Sequence, residues 1–133
     1  MIDKEQIAIM MKDIERYLSD LSEMEVKNNK QSYYAVSMIV FAVMNRAIDI
    51  GNEIISGSAK IPIPGTYKET FEILSQNDII TEDIEKQMVS LMKYRNIIAH
   101  EYYVLSNQEI SKLKKDVYSV ENYVEQIKEY LRK

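Results

Sequence analysis

The sequence predicts an all-α chain, an up-and-down bundle of about five helices. Three observations lead there. Glycine occurs 3 times and proline 2 times in 133 residues, and both prolines sit together at Pro62 and Pro64. Apolar residues recur at intervals of three and four along most of the chain. No stretch alternates strictly, as a half-buried strand would. A chain of this length buries enough apolar surface to fold as one domain over residues 1–133 without disulfides or a structural metal.

Each element follows from its local pattern. From Asp3, the residues Ile7, Met10, Met11, Ile14, Leu18 and Leu21 form one amphipathic stripe, so a first helix is expected to run to about Lys27. Asn28-Asn29-Lys30 breaks it. Tyr33, Val36, Val40, Val43, Ala47, Ile50 and Ile54 then continue as a long, largely buried second helix. Gly57 stands where a C-terminal cap is expected, and the following Ile61-Pro62-Ile63-Pro64-Gly65 cannot continue a helix, because proline lacks a donor and has a fixed φ. This is the main loop. Thr66 and Glu69 have capping-box spacing and open a short third helix from Tyr67 to about Gln76. Asn77-Asp78 reads as a turn, and Thr81 followed by Glu82 and Asp83 starts a fourth helix that ends near His100. Ser106 with Glu109 repeats the capping box, and Ile110, Leu113, Val117, Val120, Val124, Ile127 and Leu131 mark a fifth helix to the chain end.

Composition narrows the function. With no cysteine, thiol chemistry, disulfides and thiolate metal sites are excluded, which fits a reducing interior. The longest apolar runs, Tyr33 to Val36 and Met38 to Met44, fall well under the roughly 20 residues of a membrane span. The opening Met-Ile-Asp-Lys-Glu-Gln lacks the order of a signal peptide, so a cytoplasmic protein without a membrane partner is expected. The net charge is −4, from 21 acidic and 17 basic side chains, so any contact with nucleic acid must be local.

The single histidine, His100, is the one candidate for imidazole chemistry. It lies in Tyr94-Arg95-Asn96-Ile97-Ile98-Ala99-His100-Glu101-Tyr102-Tyr103. On a helix, Asn96, His100 and Tyr103 share one face, with Arg95 and Tyr102 on an adjoining line. Metal-free RNA cleavage needs a group to take the proton of a ribose 2′-hydroxyl and a cation to stabilise the pentacoordinate phosphate. Imidazole, with an unperturbed pKa of about 6.5, and the guanidinium fork suit these tasks. His100 and Arg95 are the candidates, with Asn96 orienting the imidazole or the phosphate. Structural readings stand beside this one: a histidine at a helix C-terminus complements the dipole, and an arginine near acids forms a surface ion pair. A five-residue separation puts Arg95 and His100 about 140° apart around a helix, so a composite site in a twofold homodimer is expected to bring them together.

The pattern Arg95-x4-His100-x-Tyr102 resembles the signature of HepT toxins within the HEPN superfamily. Arg46-Ala-Ile-Asp49-Ile-Gly-Asn52 resembles the family's second-helix segment, and Pro64-Gly-Thr-Tyr67-Lys-Glu-Thr-Phe71-Glu-Ile-Leu74 its loop and third helix, so the likeness spans about residues 30 to 105. The resemblance implies the toxin of a toxin–antitoxin pair, a HEPN-type fold and a dimeric, metal-independent ribonuclease without a cofactor. The implied partner is an MntA-like nucleotidyltransferase antitoxin that adenylylates the motif tyrosine. Tyr102 is then the acceptor, with the adjacent Tyr103 second in line. AMP placed there sets bulk and a negative phosphate beside Arg95 and His100 and competes with RNA. The alternative is a non-catalytic nucleotide- or substrate-binding partner of a minimal nucleotidyltransferase, using the same cleft.

Other residues are read structurally. Asp49 and Glu53, at i and i+4, fit polar helix packing better than a metal site, since no second histidine joins them. Met10, Met11, Met38, Met44, Met88 and Met92 fall on or beside apolar stripes and are expected in the core. Tyr33 and Tyr34 suit either a dimer interface or burial within the monomer. Besides Arg95, the basic residues expected near the cleft are Lys93 and Arg46.

Overall fold

The computed structural model describes residues 1–58, 61–101 and 105–133, with the side chains of His100 and Glu101 outside that description. Among the described residues six α-helices follow in order: α1 (Lys4–Ser22), α2 (Lys30–Ser56), α3 (Tyr67–Gln76), α4 (Glu82–Glu101), α5 (Asn107–Asp116) and α6 (Val120–Arg132). No described residue lies in a strand. The all-helical bundle is therefore as the periodicity implies, with two local departures.

The first departure is the end of α1, which stops at Ser22 rather than about Lys27. Its apolar stripe is complete at Leu21, and the next residues find other hydrogen-bond partners. The Ser32 hydroxyl accepts from the Lys27 amide at 2.8 Å and donates to the Glu25 carbonyl at 3.0 Å, while Lys114 Nζ donates to the Met24 carbonyl. Backbone groups satisfied in this way gain nothing from a further helical turn. The second departure is a 3₁₀ turn at Val117–Ser119 that divides the expected fifth helix into α5 and α6.

The caps follow the sequence closely. Asp3, Asn29, Thr66 and Ser106 each accept from a backbone amide in the first turn of the helix they open. At α5 the capping box is reciprocal: Glu109 N donates to Ser106 Oγ and Ser106 N to Glu109 Oε1, both at 3.1 Å. At α3 the Glu69 carboxylate instead takes the Gly65 amide, at 2.8 Å. Ser106→Ala is expected to cost about 1 kcal/mol, the usual worth of an N-cap, read as a lower midpoint in urea unfolding.

α2 is the centre of the bundle, packed against α1, α3, α4, α5 and α6. By length and composition alone it is apolar enough to cross a membrane, which the short uninterrupted runs of the sequence concealed. Here Val36, Val40, Val43, Met44, Ala47, Ile50, Ile54 and Ile55 are buried in a core shared with every other helix. Gly51 lets α3 and α6 approach it: a Cβ there would lie 2.7 Å from Thr70 Cγ2 and 3.0 Å from the Tyr123 hydroxyl. Gly57 does cap α2, but with φ −78° and not in the left-handed region. A Cβ at this position would lie within 2.8 Å of Ile2. Met10, Met11, Met44, Met88 and Met92 are buried as expected, whereas Met38 is 73% exposed.

Candidate active site

The candidate residues sit in the last two turns of α4, a helix opened by Thr81 and by three acids in its first turn. Met88, Leu91, Met92 and Ile98 anchor its inner face in the core, which turns Lys93 and Asn96 to solvent and leaves Arg95 partly buried. His100 continues the same helix in its backbone. Its side chain, and the whole of Tyr102 and Tyr103, lie outside the described residues.

Arg95 is turned against α2. Its Nε donates to Asn45 Oδ1 at 2.8 Å, and its guanidinium carbon lies 5.3 Å from the centre of the Phe41 ring. Among the described residues Arg95 has no ion-pair partner, and its described contacts are a neutral amide and a ring. Asn96 makes a long contact, its Nδ2 lying 3.5 Å from the Tyr67 hydroxyl at the start of α3. The site thus draws on α2, α3 and α4.

Arg46 behaves differently from the expectation that it adds positive charge near the cleft. Its Nε donates to Asp13 Oδ2 at 3.0 Å and its Nη1 to Asp49 Oδ2 at 3.4 Å, an arrangement that ties α2 to α1 and offsets the charge. Asp49 and Glu53 are likewise engaged separately, Asp49 with Arg46 and Glu53 Oε1 with the Asp3 amide at 3.2 Å. Asn45, Phe41 and Tyr67 were not expected from the sequence as neighbours of the site. A signal was present for two of them, since Phe41 and Asn45 are one helical turn apart and lie off the buried stripe of α2.

Below the end of α4, the Tyr33 hydroxyl accepts from the Leu105 amide at 3.0 Å, and Tyr34 stacks edge-on against Tyr33 at 5.9 Å. Tyr33 is half-buried and Tyr34 is 40% exposed. Tyr34, Met38, Phe41, Asn45 and Ile48 recur at spacings of four and three, forming a second stripe on α2 that leads to Arg95.

A family model described as ribonuclease HepT-like matches residues 7–131. The chain belongs to the HepT-like family. Over 59 residues it is 32% identical to the mRNA nuclease HepT of Shewanella oneidensis, a match that covers 44% of each chain. Solved structures share the architecture of this HepT-like chain. A cytosolic protein of unknown function, YutE from Bacillus subtilis, superposes with a TM-score of 0.85 at 22% identity, over 98% of this chain and 91% of that one. A tri-AMPylated Shewanella oneidensis HEPN toxin in complex with its MNT antitoxin gives 0.84 at 21% identity, over 92% and 96%. A toxin–antitoxin crystal structure with AMP-PNP gives 0.82 at 20% identity over the same shares. At these identities the structural likeness speaks for the fold, and the HEPN toxins among these structures have the all-helical architecture seen here.

Proposed function

We propose that this HepT-like chain is the toxin of a toxin–antitoxin pair, a metal-independent ribonuclease acting as one domain in the cytoplasm. The observation that supports it best is Arg95, which has no carboxylate partner among the described residues and lies on the same helix as His100. Arg95 binds the scissile phosphate and stabilises its added charge. His100 takes the proton of the 2′-hydroxyl as the 2′-oxygen attacks phosphorus, and Asn96 orients the reacting groups. The bond to the 5′-oxygen breaks, leaving a cyclic phosphate and a 5′-hydroxyl end. Proton return to the 5′-oxygen falls to the protonated His100 of a second copy, in a composite homodimeric site. The stripe of α2 beside Arg95, with Tyr34 and Met38 exposed, suits a face against that copy.

Control is assigned to Tyr102, with Tyr103 second. An MntA-like nucleotidyltransferase transfers AMP to it: the tyrosine oxygen attacks the α-phosphorus of ATP and pyrophosphate leaves. The Shewanella oneidensis toxin described as tri-AMPylated supports this regulation by analogy. The added phosphate diester is negative and, two residues from His100 in the motif, competes with the RNA phosphate for Arg95.

The test is incubation of total and transfer RNA with the purified protein in EDTA, with an intact-mass spectrum to detect bound AMP. Cleavage by unmodified protein with cyclic phosphate ends is expected. Inactivity without any mass increase would overturn the ribonuclease and favour a binding subunit of a nucleotidyltransferase.

A further inference from the structure

We propose that Asn45 is a positioning residue for Arg95, holding the guanidinium with a neutral acceptor so that its full charge faces the RNA phosphate. This rests on the ribonuclease reading and extends it to a residue of α2. The contact joins residues 50 apart in sequence at 2.8 Å, and the Phe41 ring, one turn before Asn45, supports the guanidinium from a second side. Nε is thereby occupied, and the Nη1 and Nη2 edge is presented as a unit, the edge that meets two phosphate oxygens at once.

The neighbouring Arg46 shows what a carboxylate environment does in the same helix. Asp13 and Asp49 both contact it, and its charge is spent on joining α1 to α2. Arg95 has an amide and a ring in the corresponding places. An aspartate at position 45 would orient Arg95 equally well but would cancel most of the field on which phosphate binding depends. In a chain of net charge −4, one arginine with no carboxylate partner among the described residues is a large share of the local attraction for RNA. Orientation and charge are therefore separable by two substitutions at one position.

The experiment compares the parent, Asn45→Ala, Asn45→Asp and Arg95→Lys, each checked for folding by thermal melting. Three readouts are taken: the NMR signal of the Arg95 Nε–H, assigned by its loss in Arg95→Lys; RNA cleavage; and binding of a 2′-O-methyl RNA, which lacks the attacking hydroxyl. In the parent the Nε–H is expected to exchange slowly with water. Asn45→Ala loses that protection and cleaves about 10- to 100-fold more slowly, the scale of one misplaced transition-state donor. Asn45→Asp keeps the protection, yet cleavage falls by a similar factor and the salt dependence of RNA binding drops by about one phosphate contact. Parental cleavage and binding by Asn45→Asp would overturn the proposal, as would a protected Nε–H in Asn45→Ala. A lowered melting point in Asn45→Ala with unchanged cleavage per folded molecule would show a purely structural residue and also overturn it. If the parent itself fails to cleave, the ribonuclease reading falls, while the Nε–H signal and RNA binding still decide the role of Asn45.

Discussion

Replacing His100 with alanine is expected to slow RNA cleavage by about 10²- to 10⁴-fold, the usual contribution of a positioned acid–base group. Arg95→Ala should cost about 10²- to 10³-fold through lost stabilisation of the pentacoordinate phosphate. The two effects should be far from additive, because both groups act on one transition state. Arg95→Ala also removes the guanidinium from the Phe41 ring and from Asn45, so a stability loss of about 1 kcal/mol accompanies it. Such a loss leaves a marginally stable domain folded at room temperature. Single-turnover cleavage of a labelled RNA in EDTA, normalised to the folded fraction from a thermal melt, checks both figures. Parental rates in either variant would remove that residue from the chemistry.

The largest stability effect is expected at Tyr123. This side chain is fully buried, packs edge-on against Phe71 at 5.5 Å and donates its hydroxyl to the Ala47 carbonyl of α2 at 2.9 Å. From α6 it packs against α2 and α3 at the place where Gly51 leaves room. Tyr123→Ala removes a whole ring from a close-packed core and should cost about 3–5 kcal/mol, lowering the melting temperature by roughly 10–20 °C. Tyr123→Phe keeps the ring and loses one hydrogen bond, about 1 kcal/mol.

The same hydroxyl makes stability sensitive to alkali. Burial pushes the Tyr123 pKa far above its ordinary value of 10.0, so the folded state holds the proton where the unfolded state releases it. Its contribution is complete below the unfolded pKa and declines as pH rises beyond about 10. Melting curves of the parent and Tyr123→Phe should therefore converge as pH climbs above that value. A constant gap would contradict the buried, protonated phenol.

Much of the bundle was legible because helices are set by local chemistry. The apolar stripe from Ile7 to Leu21, the break at Asn28 to Lys30, the caps Thr66 and Ser106, and the break at Pro62 and Pro64 all act within a few residues of themselves. Boundaries that depend on distant partners were not legible: α1 ends at Ser22 because Ser32 and Lys114 satisfy the segment beyond it. Nor did local pattern show that Gly57 makes room for Ile2, or that Met38 faces solvent on a helix whose other side is core.

For the site, the sequence by itself determined which residues are candidates for the chemistry: one imidazole, one nearby guanidinium and one amide, within one predicted helix, together with tyrosines just beyond it. Side-chain type and helical spacing suffice for that. Only the tertiary structure decided which arginine is ion-paired among the described residues. Arg46 and Arg95 were both expected near the cleft, yet α1 brings Asp13 to the first, while the packing of α4 on α2 brings Asn45 and Phe41 to the second. The difference is one of distance between side chains far apart in the chain, and Coulomb energy and hydrogen bonding depend on that distance rather than on sequence order.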